Sequence, residues 1–214
     1  MTLRPASDRS LLISFGDEIS PEAHREVVRL TRSLAGASGI LNLHPAFASV
    51  LIDFDPRARD HAAVAAQVRE QLDAPAGSAA EEPRTVEIPV RFGGGDGPDL
   101  EDVARHTGLA PERVIERFCA ARFDVSFVGF ATCFPYLAGL PPELATPRLT
   151  APRTRVPEGS VAIAGKQAGV YPLASPGGWR LIGRTELPLF DRQAEPPPLL
   201  RMDDRVIFVP EGRR

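Results

Sequence analysis

Histidine is scarce in this 214-residue chain, and all four copies, His24, His44, His61 and His106, lie in its first half. From Gly129 onward the chain therefore cannot build a Ser-His-Asp triad, a Cys-His pair or a histidine zinc site from its own side chains. Cysteine is rarer still. Cys119 and Cys133 have neither metal-ligand spacing nor a histidine beside them, so they argue for neither zinc nor a disulfide scaffold and read as packing thiols. Cys133, next to Phe134-Pro135, is the one conceivable nucleophile, but its apolar setting should keep the thiol protonated. Phosphate loops are missing too. Gly93-Gly94-Gly95 is not followed by the Gly-Lys-Ser/Thr of a P-loop, and Gly165-Lys166 has Ser160 where that motif needs its first glycine. Neither GxGxxG nor HExxH occurs. No run approaches ~18 apolar residues, and the N-terminus places acids close to its short apolar stretch, so a cytoplasmic, non-membrane protein is expected. A net charge of -3 and a pI of about 5.9 give no global reason to bind nucleic acid or an anionic membrane.

With 43% hydrophobic and 25% charged residues, the composition is that of an ordinary globular protein. The length allows one or two modest domains. Asp73 to Arg84, DAPAGSAAEEPR, is small, polar and proline-punctuated and reads as a linker, dividing the chain into residues 1–83 and 84–214. In the first part, Ser10 to Phe15 reads as a strand. Ser20-Pro21-Glu22 then offers an N-cap, a proline at N1 and an acid in the first turn of a helix carrying Val27, Leu30 and Leu34. Ile40 to Leu43 and Phe47 to Phe54 read as a strand pair, and Asp60 to Leu72 as a second amphipathic helix. The order is βαββα, one strand short of a ferredoxin-like, split βαβ layout.

In the second part, Thr85 to Val90 alternates as a strand, Phe92 to Pro98 forms a glycine-rich loop, and short helices follow from Asp99 to His106, with Gly108 at C′, and from Pro111 to Cys119. Thereafter come short apolar runs: Val125 to Phe130, Ser160 to Ala164, Gly169 to Leu173, Trp179 to Ile182 and Arg205 to Val209. Sixteen of the 22 prolines lie beyond Arg84, which confines helix to the start of this part. Many short strands with dense turn signals predict a closed barrel or a sandwich, and an α+β protein overall.

Charge and aromaticity concentrate in one place. Between Leu144 and Thr185 six basic residues, Arg148, Arg153, Arg155, Lys166, Arg180 and Arg184, face a single acid, Glu158. Both tyrosines, Tyr136 and Tyr171, and the one tryptophan, Trp179, fall in or beside this stretch. Guanidinium forks with amphipathic rings suit a small carboxylate- or phosphate-bearing ligand; a solvated basic face over an aromatic core is the alternative. The prolines at 147, 152 and 157 predict a rigid extended crossing. Ser175 to Trp179 reads as a tight turn into a strand, and Gly165 and Gly169 as hairpin or bulge positions.

Three segments carry a resemblance: FVGFATCFPYLAGL, LATPRLTAPRTRVPEGSVAIAGKQAGVYPLASPGGWRLIGRTELPLFD and LLRMDDRVIFVP. They are similar to the family of allophanate hydrolase subunit 1, the Kip-type kinase inhibitor and the B-type subunit of 5-oxoprolinase, which resembles subdomains C and D of the urea carboxylase carboxyltransferase region. The similarity runs from Thr85 to Pro210 and includes GGGDGPDLEDVARHTGLAPERVI; the N-terminal half agrees by layout. It implies a ferredoxin-like N-terminal domain followed by a cyclophilin-like β-barrel, and a homologous partner subunit resembling carboxyltransferase subdomains A and B. For 5-oxoprolinase it implies a third subunit and a complex that hydrolyses 5-oxoproline to glutamate with ATP, although this chain has no nucleotide motif. A Kip-type inhibitor of a histidine kinase, or an allophanate hydrolase or urea carboxylase subunit, are the other roles it allows. Prolyl isomerase activity does not follow from the implied fold.

Carried onto this sequence, the implied small-anion site comprises Phe134, Tyr136, Arg153, Arg155, Gln167, Tyr171, Trp179 and Arg184. Arg153 or Arg155 would anchor a substrate carboxylate and Gln167 would bond an amide, while Tyr136 or Tyr171 would orient a carbonyl or move a proton. Two departures mark this member. Thr132-Cys133 stands where the family has Pro-Gly, with Ala138 in place of a glycine, and Lys166 adds a charge in its GxQxG context.

Overall fold

The structure, a computed structural model, describes residues 1–18, 20–74 and 83–212. Most of the expected linker lies outside the described residues. The chain forms two compact units, Met1–Glu82 and Pro83–Arg214. Among the described residues no helix is long and apolar enough to cross a membrane.

The first unit comprises β1 (Thr2–Ser7), β2 (Ser10–Ser14), α1 (Pro21–Leu34), β3 (Ile40–Pro45), β4 (Ser49–Phe54) and α2 (His61–Asp73). Ser20 Oγ accepts the Ala23 N–H at 3.1 Å to start α1, and Asp60 Oδ1 accepts the Ala63 N–H at 2.8 Å to start α2. The helical spacing of Val27, Leu30 and Leu34 buries one face of α1, while Val50, Ile52 and Phe54 alternate inward along β4 in the same core. The sheet order is β1-β2-β4-β3, antiparallel throughout. This is the ferredoxin-like arrangement, with the strand lacking from the βαββα reading supplied by the N-terminus instead of following α2. Residues 2–7, TLRPAS, hide that strand because they carry no apolar alternation and contain Pro5. As an edge strand β1 tolerates the missing N–H, and it is mostly exposed.

The second unit holds β5 (Thr85–Phe92), α3 (Leu100–Thr107), α4 (Pro111–Ala120), β6 (Phe123–Gly129), β7 (Phe134–Ala138), β8 (Arg153–Val156), β9 (Ser160–Ala164), β10 (Gln167–Val170), β11 (Ser175–Gly177), β12 (Arg180–Arg184) and β13 (Arg205–Pro210). Seven strands close a barrel in the order β10-β7-β6-β13-β5-β12-β9. Closure removes the exposed edges that an open sheet of such short strands would present. β13 runs parallel to β5 and the other barrel pairs are antiparallel. Phe118 of α4 plugs this core, its ring 4.8 Å from Phe208 of β13 and 4.9 Å from Phe123 of β6 between centroids. The architecture is therefore α+β, a ferredoxin-like unit followed by a cyclophilin-like barrel.

Three readings change locally. Phe134–Ala138, which lies outside the short apolar runs read as strands, is strand β7. Its burial follows no clean alternation because Phe134 and Pro135 are both buried. Residues 175–177, read as a tight turn, form β11, which pairs with β8 in a separate two-stranded ribbon. The rigid crossing at Arg153–Val156 thereby acquires a strand partner. A three-residue strand containing proline and glycine carries no propensity signal of its own.

Candidate functional site

Beside the main barrel core, a second cluster of Phe134, Val156, Ala162, Ala164, Tyr171, Trp179 and Leu181 opens at one side into a cleft of about 280 Å³. Phe134 stands at its centre, with ring centroids 5.1 Å from Tyr136, 5.1 Å from Tyr171 and 5.3 Å from Trp179. These contacts are edge-on, so each ring's positive rim meets a neighbour's electron-rich face. Phe130 continues the apolar wall outward, 5.8 Å from Phe134 and 68% exposed.

Two glycines make this packing possible. A Cβ on Gly177 would lie 2.2 Å from the Tyr171 hydroxyl oxygen, and one on Gly169 would lie 2.7 Å from Phe134 Cζ. A side chain at Gly177 would drive β11 off the phenol, and one at Gly169 would unseat the central ring.

Among the described residues, the only charged side chain lining the cleft is Arg148, whose Cζ lies 5.7 Å from the centroid of the Trp179 ring. Two contacts hold its loop in place: the Leu149 N–H donates to Gly178 O at 2.7 Å, and Arg180 Nε donates to Pro147 O at 3.3 Å. Because Gly178 immediately precedes Trp179, the first contact sets Arg148 over the indole.

The structure brings together Phe134, Tyr136, Tyr171 and Trp179 of the residues implied by sequence, and keeps the other four off the cleft lining. Arg153 Nη2 donates to Asp99 Oδ1 at 2.7 Å, and Asp99 Oδ2 accepts the Leu181 N–H at 2.7 Å. Asp99 is only 5% exposed, so this pair ties α3, β8 and β12 together behind the cleft. Arg155 is exposed on β8. Arg184 Nε donates to Glu158 O at 2.9 Å, closing the loop before β9. Gln167 opens β10, half-buried. Sequence reasoning did not single out Phe130 or Arg148 as lining residues. Arg148 is 31 residues from Trp179 in sequence, and no spacing rule joins the two; the backbone bond from Leu149 does.

Burial raises the pKa of Tyr136, with Arg148 pulling modestly the other way. Burial also raises Tyr171, opposed by a hydrogen bond with the Trp179 backbone and by Arg148. Both phenols are therefore protonated at neutral pH and can donate a hydrogen bond to a ligand. Burial pushes the Cys133 thiol up as well, and Cys119 to about 11, so neither is a thiolate at neutral pH. Cys133 and Phe130 adopt φ of 62° and 60° in the β6–β7 connection. Glycine, which the resemblance implies at position 133, adopts such a left-handed backbone freely. The cleft thus offers stacking walls, two phenolic donors and one guanidinium, with no carboxylate, imidazole or thiolate among the described residues of its lining. It can bind and orient a small ligand.

Comparison with known proteins places this arrangement. The family described as carboxyltransferase domain, subdomain C and D, matches residues 1–200. The B-type 5-oxoprolinase subunit of Haemophilus influenzae is 38% identical over 218 residues, covering 99% of each chain. The B-type 5-oxoprolinase subunit of Escherichia coli O157:H7 is 54% identical over 130 residues, 61% of this chain and 60% of that one. Among solved structures, TTHA0988 superposes with a TM-score of 0.86 at 37% identity, over 97% of this chain and 41% of that chain, so the protein spans about two fifths of it. Urea carboxylase of Kluyveromyces lactis shares the fold, with a TM-score of 0.73 at 22% identity over 98% of this chain and 22% of its own. The chain belongs to the family of carboxyltransferase domains, subdomain C and D.

Proposed function

We propose that this chain is a non-autonomous subunit of a cytoplasmic, ATP-dependent 5-oxoprolinase that opens 5-oxoproline to glutamate. The observation that carries the reading is end-to-end similarity to a protein named as a 5-oxoprolinase subunit, with 99% of both chains aligned. The cleft's chemistry supports it. A flat five-membered lactam suits a space of about 280 Å³ walled by aromatic rings, Arg148 can hold its carboxylate, and protonated Tyr136 or Tyr171 can donate to its carbonyl.

The cleft does not suit ATP. One guanidinium against a triphosphate leaves most of the charge uncompensated, and the chain has no phosphate-binding loop. Nucleotide chemistry and the hydrolytic base are therefore assigned to partner subunits, one resembling carboxyltransferase subdomains A and B and a third completing the enzyme. In this reading the chain binds and orients the lactam.

Reconstitution tests the proposal. The chain should co-purify with the partner subunits, and the assembly should hydrolyse 5-oxoproline only when ATP and this chain are both present. Full turnover by the partners alone would refute the role.

A further inference from the structure

An aromatic box is ordinarily a cation trap, because ring faces attract ammonium groups. Here the trap is already filled from within. Arg148 lies over Trp179, 5.7 Å from Cζ to the ring centroid, and among the described residues no carboxylate lines the cleft to receive a second cation. Among the same residues no hydrogen bond or ion pair engages the Arg148 guanidinium, so its N–H groups are available to an incoming anion. An ammonium entering the box would meet the like charge of Arg148, itself an exposed residue, over the ring face it seeks. A carboxylate would meet a fork that can donate two parallel hydrogen bonds.

We propose that Arg148 makes the cleft a charge filter, admitting small planar monoanions whose nitrogen is acylated and rejecting amino acids with a free ammonium. This rests on the reading of the chain as part of a 5-oxoprolinase, and it gives the site a direction. Hydrolysis breaks the lactam C–N bond. The water oxygen joins the carbonyl carbon to form a second carboxylate, and the water's two protons go to nitrogen, which becomes an ammonium. Net charge is unchanged at one negative. The product nevertheless carries the positive group that the box refuses and a second carboxylate for which the lining holds no second cation, so it leaves while the closed ring is retained.

The single tryptophan sits in the cleft wall, so its fluorescence reports occupancy of this site in the 214-residue chain. Titration with 5-oxoproline, proline and 2-pyrrolidinone separates the terms. Proline keeps the ring and carboxylate but carries an ammonium, whereas 2-pyrrolidinone keeps the lactam without the carboxylate. 5-Oxoproline is expected to bind about tenfold more tightly than either, the scale of one charge-assisted contact. Arg148→Ala should abolish that preference, and tetramethylammonium, which leaves the wild-type signal unchanged, should then perturb Trp179 because the ring face is free. Proline binding as tightly as 5-oxoproline, a preference that survives Arg148→Ala, or no 5-oxoproline binding by the folded chain would each overturn the filter. Turnover in the assembly reports separately on the enzymatic reading. An assembly that hydrolyses 5-oxoproline with an unselective chain removes the filter alone, and a selective chain in an assembly that does not hydrolyse it removes the enzymatic role.

Discussion

Cys133 occupies a backbone conformation that glycine adopts freely and other residues adopt at a cost of about 1–2 kcal/mol. Cys133→Gly relieves that cost but gives the unfolded chain more freedom, which offsets roughly 0.5–1 kcal/mol. The expected outcome is a net gain of up to about 1 kcal/mol in urea-denaturation stability, where Cys133→Ala gives none. Gly177→Ala should act in the opposite sense. Its Cβ would fall 2.2 Å from the Tyr171 oxygen, so the ribbon or the phenol must shift. A loss of about 1–3 kcal/mol, with altered Trp179 fluorescence, is the expected result. Phe134, Tyr136, Tyr171 and Trp179 of the aromatic wall were legible because the segments that carry the resemblance contain them, whereas Phe130 was not singled out. Arg148 was not, since its place depends on one backbone bond from Leu149 to Gly178, which leaves no mark in composition.

Helices were legible, as were strands such as Ser10–Ser14 and Ser160–Ala164. Ser20-Pro21, Asp60 and Gly108 are capping signals with local causes, and each lies at or within one residue of a helix boundary. Strands β1, β7 and β11 were not legible, because each owes its conformation to a neighbour in the sheet or ribbon. Three strands of the first unit are also tied by side chains. Asp53 of β4 accepts from Ser10 of β2 at 2.6 Å and bonds His44 Nε2 of β3 at 3.0 Å. The Ser10 hydrogen bond, followed by that of His44, holds the Asp53 pKa below its ordinary value near 3.8. A carboxylate depressed in the folded state binds its proton more readily when unfolded. Its stabilisation is therefore present above the unfolded pKa and is lost as pH falls through the folded one. Asp53→Asn should accordingly cost stability at pH 7, and the gap from wild type should shrink by pH 3 in urea denaturation.

At the scale of the whole molecule, the two units have separate cores, and every residue lining the cleft falls between Phe130 and Trp179 in the second. A chain of residues 83–214 should therefore fold alone and retain the wild-type Trp179 emission; an emission shifted to that of exposed indole would show that the barrel depends on the first unit. Proline density and short strands announced a barrel or sandwich, but the strand order did not follow from them. The parallel pairing of β13 with β5 joins segments about 120 residues apart, beyond the reach of local periodicity. The absence of histidine beyond position 106 leaves acids, amides, tyrosines and arginines of the barrel, or residues of another subunit, for any hydrolytic step.

The most direct measurement is steady-state, ATP-dependent 5-oxoproline hydrolysis by the reconstituted assembly carrying Arg148→Ala, with incorporation of the altered chain checked by gel filtration. The cleft-centred account predicts a fall in kcat/KM of about tenfold or more in an intact assembly. Undiminished kcat/KM with the altered chain fully incorporated would contradict it.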